Sequence, residues 1–113
     1  MMSYPLCRQT VTLYRKQGNE ILRQVIHGCF YRYEDRLEEN VRGLEFCRKF
    51  LLIVPGQTPL YLGDRVLEGE GPELTLSQWD SFLPTTVPGL SQADYVAPGI
   101  WQGEVCHWEA GRK

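Results

Sequence analysis

The stretch Leu60-Tyr61-Leu62-Gly63-Asp64-Arg65-Val66-Leu67-Glu68-Gly69-Glu70-Gly71 decides how the chain is read. Two apolar pieces, Leu60–Leu62 and Val66–Leu67, flank the dipeptide Gly63-Asp64. Glycine reaches positive φ without steric cost, and a short Asp side chain bonds nearby backbone N–H groups. The dipeptide is therefore a structural turn, and the pattern predicts a hairpin of two short strands around it. Gly69 and Gly71, with Pro72 behind them, end the second strand. Corners of this kind are common in small β-barrels. They fix architecture and name no chemistry.

Working outward, 113 residues are enough for one domain with its own core. Hydrophobic content of 42% and charged content of 23% are ordinary for a globular chain. A net charge of −2 gives no nucleic-acid footprint over the chain as a whole. Met1–Gln9 is broken by Pro5 and lacks the apolar centre of a secretory signal. The longest run of aliphatic and aromatic residues, Phe50–Val54, is far short of the ~20 residues needed to span a bilayer. A cytosolic protein, or a part of a soluble assembly, is expected. The four cysteines, Cys7, Cys29, Cys47 and Cys106, form no C-x-x-C pair, and free thiols follow from the missing signal.

Thr10–Lys16 is β-branched and aromatic with period-2 alternation, closed by the turn residues Gly18-Asn19. Val11 and Leu13 take one face of this strand, Thr12 and Tyr14 the other. Glu20–Tyr33 is also read as strand, with Gly28 marking a bulge or bend; a helix over Glu20–Ile26 is the competing reading. Arg32–Glu45 then sets Arg32, Arg36 and Arg42 against Glu34, Asp35, Glu38, Glu39 and Glu45. So charged a stretch predicts a long solvated loop, with a helical turn around Asp35–Asn40. Phe46–Val54 resumes as strand. Thr75-Leu-Ser-Gln78 fits a capping box, and Leu76, Trp79, Phe82 and Leu83 follow at helical spacing, which predicts one short helix over 76–83 ending at Pro84. Val87–Gly89 reads as linker, Asp94–Ala97 as a short strand, Pro98–Gly103 as a loop carrying Trp101, and Glu104–Ala110 as the last strand. The fold class is mainly β: a small β-barrel or sandwich with one short helix and a long charged loop at about 32–45.

Chemistry is sparse. His27 with Cys29, and Cys106 with His107, would supply zinc-type ligands from two strands. By alternation His27 and Cys29 share a face while Cys106 and His107 oppose, so four ligands do not converge. A Cys–His nucleophile with Asp64, Asp80 or Glu109 as orienter has no local signature. Gly69-Glu-Gly71-Pro72 lacks phosphate-loop spacing and its Lys-Ser/Thr. No enzyme, metal or cofactor is expected. Trp79, Trp101 and Trp108 belong mostly to core, with Trp101, in its Gly/Pro loop, the candidate for contact with a partner.

The order of several short motifs carries a resemblance. Val-Thr-Leu-Tyr stands at 11–14 and Val-Ile-His-Gly-Cys-Phe-Tyr at 25–31; Asn-Val-Arg-Gly-Leu-Glu follows at 40–45 and Phe-Leu-Leu-Ile-Val-Pro at 50–55. Leu-Gly-Asp-Arg-Val-Leu-Glu-Gly then occupies 62–69, and His-Trp-Glu-Ala-Gly closes at 107–111. In this order the chain resembles the minor capsid or head–tail connector proteins of tailed phages and prophages of Gram-positive bacteria. It departs from them in having Phe30 or Tyr31 where a Trp is usual, and no Trp before the Gly63-Asp64 turn.

The resemblance implies a small β-barrel subunit of the head-closure ring. Its partners would be further copies of itself, the portal or adaptor and tail proteins of the same phage, and packaged DNA in transient contact. No membrane is implied, and the sites would be the host cytoplasm during assembly and then the virion neck. The segment Tyr33, Glu34, Asp35, Arg36, Glu38, Glu39 and Arg42 falls where such barrels project a channel loop. A loop of net −2 would not clamp moving DNA as a Lys/Arg-lined one would. Another minor capsid position with the same fold, or a free-standing barrel that binds a small ligand or peptide, are the alternatives.

Overall fold

The computed structural model describes residues 6–40 and 43–112, with the side chains at 36–40 and 44–47 left out. Seven strands form one antiparallel sheet curled into a half-barrel. They are β1 (Gln9–Gln17), β2 (Glu20–Asn40), β3 (Gly43–Pro55), β4 (Arg65–Glu68), β5 (Leu90–Gln92), β6 (Tyr95–Trp101) and β7 (Glu104–Arg112), and a 3₁₀ helix, Leu76–Ser81, lies between β4 and β5. Across the sheet the order is β5-β4-β1-β2-β3-β7-β6. The mainly β expectation is met.

β2 is the spine, because it changes partners halfway. Glu20–Cys29 pairs with β1, and Phe30–Asn40 pairs with β3. The changeover sits at Gly28, which holds a φ of +72° and creates a register shift opposite Gln9 and Thr10. Just past it, the Gln9 side chain substitutes for backbone: its Nε2 donates to the Tyr31 carbonyl at 2.9 Å and its Oε1 accepts from the Tyr31 N–H at 2.8 Å. The bulge also separates His27 from Cys29. Simple alternation put them on one face, but the extra residue turns Cys29 into the core and leaves His27 exposed, bonded to Thr10 Oγ1.

The opposite ends of the sheet approach each other through Ala93–Asp94, which joins β5 to β6. Ala93 N–H donates to the Asp64 carbonyl, and Asp94 N–H to the Gly111 carbonyl, both at 2.9 Å. The two residues therefore tie the β4–β5 side to the β6–β7 side. Between the sides lie Val11, Leu13, Tyr31, Leu52, Val54, Leu60, Val66 and Ala110, all buried. Full burial of such side chains contributes about 1.5–3 kcal/mol each, which makes this the main stabilising cluster.

The other face of β1 is covered as well. Tyr14 packs with Trp79, Phe82 and Leu90, so Val11, Thr12, Leu13 and Tyr14 are all buried although they alternate. The cover is held by polar contacts. Thr12 Oγ1 donates to the Gly69 carbonyl at 2.7 Å and accepts from the Gly71 N–H, and the Tyr14 hydroxyl donates to the Pro72 carbonyl. Arg65, itself buried, donates through Nη1 to the carbonyls of Trp79 and Phe82 at 2.6 and 2.8 Å, with its guanidinium 3.7 Å over the Trp79 ring. It gives a second donor to the Trp79 carbonyl, which also accepts from the Phe82 N–H at 3.2 Å, and caps the Phe82 carbonyl at the end of the helix. Gly71 is where this layer is tightest: a Cβ there would stand 2.1 Å from the Tyr14 hydroxyl and 2.8 Å from Leu67 Cδ2. We expect Gly71→Ala to lose about 1–3 kcal/mol by overpacking, read as a lower denaturation midpoint. An unchanged midpoint would mean the layer can lift freely.

Several expectations need correction. The quoted stretch is a turn and one strand, not a hairpin. Asp64 N–H donates to the Tyr61 carbonyl at 3.1 Å and Gly63 holds a φ of +85°, so the turn is present. Leu60–Leu62 is not a strand, however, because β4 is already paired on both sides, by β1 and β5. The charged stretch at 32–45 is not a loop; it is strand on both sides of residues 41–42. Strand β3 accordingly begins at Gly43 rather than Phe46, and the expected helical turn at Asp35–Asn40 is extended. The helix exists with its capping box but is a 3₁₀ helix over Leu76–Ser81. Leu90–Gln92, beside the supposed linker, is a strand, and β6 runs through Pro98 to Trp101 where a loop was expected. Pro98 is tolerated there because β6 is an edge and needs no donor on its outer side.

Candidate functional site

The feature with most functional content is the far end of the β2–β3 hairpin. β1 stops opposite Cys29, and β7 stops opposite Phe50. Beyond Tyr33↔Phe50 the register continues from Glu34↔Lys49 to Asn40↔Gly43 with no third strand among the described residues. A two-stranded arm thus leaves the half-barrel, and the radius of gyration, 14.8 Å, exceeds the about 13 Å of a compact chain this long. Its rungs alternate in character. One parity reads Tyr33–Phe50, Asp35–Arg48, Leu37–Phe46 and Glu39–Leu44; the other reads Arg32–Leu51, Glu34–Lys49, Arg36–Cys47 and Glu38–Glu45.

The root of the arm is locked. Arg48 is buried, and its Nε and Nη2 both donate to the Asp35 carboxylate, the latter at 3.0 Å. Nη1 donates to the Leu90 carbonyl at 2.6 Å, which joins the arm to β5. These hydrogen bonds hold the Asp35 carboxyl below its usual value. Above them the Tyr33 ring lies 4.9 Å from the Arg48 guanidinium and 5.7 Å from the Tyr31 ring, and Tyr31 in turn packs against Phe50. The Tyr31 hydroxyl bonds Ser91 Oγ at 2.6 Å, and burial pushes its pKa up to about 12. Root and half-barrel therefore share one packed aromatic seam.

Of the residues expected to form a channel loop, Tyr33, Glu34 and Asp35 are exposed to differing degrees at this root. Arg36, Glu38 and Glu39 lie along β2, and Arg42 falls outside the described residues. Trp101 is 55% exposed beside Ile100 at 64%, at the β6–β7 tip. That tip is at the opposite pole from the arm, since Tyr95 pairs with Gly111 near the arm and Trp101 with Glu104 away from it. An open hollow of about 370 Å³ lined by Gln57, Glu104, Val105 and Trp108 adjoins it. Gly63 and Asp64 belong to neither place; Asp64 ties the start of β4 to β1 through Arg15, and the Gly63 N–H donates to the Ala93 carbonyl at 2.9 Å.

The chemistry-bearing residues stay apart. Among the described residues no three of His, Cys, Asp and Glu gather as metal ligands. His107 Nε2 lies 3.1 Å from Glu109 Oε1, with its ring over Gly99, where any Cβ would collide with it. Cys7, Cys29 and Cys106 are free thiols, and the Cys47 side chain lies outside the described residues. Burial pushes the Cys29 thiol up to about 11 while its Sγ donates to the Gln9 carbonyl. At pH 8 only about one molecule in a thousand would carry its thiolate. We expect iodoacetamide to modify Cys106 in the native protein well before Cys29, followed by mass spectrometry of peptides. Equal rates would show that Cys29 is open to solvent.

Arg48 and Gln9, which set the root, were not singled out in the sequence. A signal for Arg48 was present: Glu34 and Asp35 mirror Lys49 and Arg48 about residues 41–42 with opposite charge. No family model, curated protein or solved structure matches this chain.

Proposed function

We propose that the chain is a structural subunit of a phage or prophage neck, joining the capsid portal to the tail as one copy in a homo-oligomeric head-closure ring. The observation that carries this reading is the arm: a near-neutral two-stranded ribbon with a locked root, held out from a small half-barrel. A ring subunit needs a rigid body and an element that reaches past it. The resemblance of the order of its short motifs to that of connector proteins is the other support. Along the arm the charges of Glu34, Asp35, Arg48 and Lys49 cancel rung by rung, so passing DNA would meet little net attraction.

The test is genetic. In a phage carrying this gene, its loss should leave DNA-filled or leaking heads and unjoined tails, restored by the chain supplied in trans. Normal tailed, infectious particles without the chain would overturn the reading.

A further inference from the structure

We propose that the β6–β7 tip is a receptor for an arginine side chain carried by a segment of another protein, with Trp101 and Glu104 as its two walls. This goes beyond the neck role and does not depend on it.

The chain uses one short motif twice. Tyr61-Leu62-Gly63-Asp64 and Trp101-Gln102-Gly103-Glu104 share a pattern: an aromatic residue, a spacer, glycine, then a carboxylate. Both are tight turns with the glycine at positive φ, +85° at Gly63 and +79° at Gly103. In the first turn, ring and carboxylate together hold one guanidinium. Arg15 lies 4.2 Å over the Tyr61 ring and donates twice to the Asp64 carboxylate, each time at 2.7 Å. An aromatic face with a carboxylate beside it is what a planar, forked cation fits.

The second turn presents the same two groups and lacks the guest. It links β6 to β7, and the register sets Trp101 directly opposite Glu104, so both side chains leave one face at neighbouring positions. The turns differ at the spacer. Gln102 holds a φ of +51°, and among the described residues it is the one non-glycine residue at positive φ. Two central residues at positive φ make the mirror turn that closes a tight hairpin and fixes that rung. Trp101 and Glu104 are exposed, and among the described residues no cation lies over this ring or pairs with this carboxylate.

Charge then selects the guest. Across residues 55–57 and 98–106, which line or adjoin the hollow, Glu104 is the only charged side chain. A lone carboxylate among Trp, Ile, Val and Pro side chains favours a cation over an anion or a phosphate backbone. Arginine fits better than lysine, because it stacks on indole and gives two parallel hydrogen bonds to one carboxylate. The hollow assigns that arginine to a protein segment. Glu104 borders it with Gln57, Val105 and Trp108, and Ile100 pairs with Val105. At about 370 Å³ and open to solvent, it has room for an apolar side chain next to the arginine. It has no walls to enclose a free small molecule. An exposed Trp beside such a hollow is the chemistry of an interface anchor.

Binding is read by NMR on the full, nitrogen-labelled chain. The probe is acetyl-Gly-Leu-Arg-Leu-Gly-amide, set against the same peptide with citrulline for arginine, which keeps the shape and removes the charge. The arginine peptide should shift the Trp101 indole N–H and the amides of residues 100–105 with a Kd of about 1 mM. The citrulline peptide should bind about tenfold more weakly. Glu104→Gln should weaken the arginine peptide about fivefold; Trp101→Ala should abolish its binding and Trp101→Phe should keep part of it. Both positions are exposed, so the variants should melt with the wild type, which separates lost binding from a lost fold. If Trp101→Ala does lower the melting point, Glu104→Gln carries the test.

Equal binding of the two peptides overturns the inference, as does binding that Glu104→Gln leaves unchanged or the absence of shifts up to about 10 mM peptide. Methylguanidinium that binds as tightly as the peptide would make the tip a small-molecule site and remove the partner segment. Self-association of the wild type that Glu104→Gln abolishes would put the arginine on a second copy, and so overturn its assignment to another protein. Tail joining is a separate readout: a phage that does without this chain removes the neck role and leaves the peptide result standing.

Discussion

Asp64→Ala is expected to lower stability by about 3 kcal/mol, a drop of roughly 10 °C in melting temperature for a domain of this size. The Asp64 carboxylate is 1% exposed and is almost fully used. Arg15 donates to it through Nε and Nη2, each at 2.7 Å, and the Tyr61 N–H donates at 2.9 Å. Arg15 also lies 4.2 Å over the Tyr61 ring. Removing the carboxylate leaves a guanidinium that is only 17% exposed without its partner, together with an unsatisfied turn N–H. Asp64→Asn keeps the shape and the Tyr61 acceptor, so it should recover part of the loss. A melting point for the alanine variant within about 2 °C of wild type would show that water replaces the pair without penalty.

That corner also shows how far sequence reading reaches. Gly63-Asp64 was legible as a turn because backbone φ is a local property of glycine. Its partners were not. Arg15 lies far away in the chain, and nothing in alternation says that β4 pairs with β1 rather than with Leu60–Leu62. The arm was misread for a related reason. Charge density argued for loop, but every second residue of 33–39 and 44–50 belongs to a rung set that includes Leu37, Phe46 and Leu44. Composition averages over both faces of a ribbon, and a strand separates them. The bulge at Gly28 was expected, yet its consequence for His27 and Cys29 was not, because one extra residue inverts the parity of everything on one side of it.

Arg48→Ala is the second large effect expected, and it bears on how the arm is aimed. Asp35 is 45% exposed, so the ion pair itself is worth at most about 1 kcal/mol. The larger loss is at Leu90, a buried residue whose carbonyl loses the donor 2.6 Å away; an unmet buried acceptor costs about 1–3 kcal/mol. We expect a total of about 2–3 kcal/mol, with Arg48→Lys recovering little, since one ammonium cannot serve Asp35 and Leu90 as the planar fork does. The pH dependence has a fixed sign. Asp35 is held below its usual value, so its share of the stability is present above about pH 4 and fades as pH falls through its lowered value. The gap between wild type and variant should therefore narrow in acid without vanishing, because the Leu90 contact does not titrate. Hydrogen exchange reads the consequence for the arm: amides near Glu34 and Lys49 should lose protection in Arg48→Ala, while Leu13 and Leu52 keep theirs. Uniform loss across the chain would mean that Arg48 supports the whole fold. Unchanged protection near Glu34 would mean that the aromatic seam of Tyr31, Tyr33 and Phe50 sets the arm's direction without it.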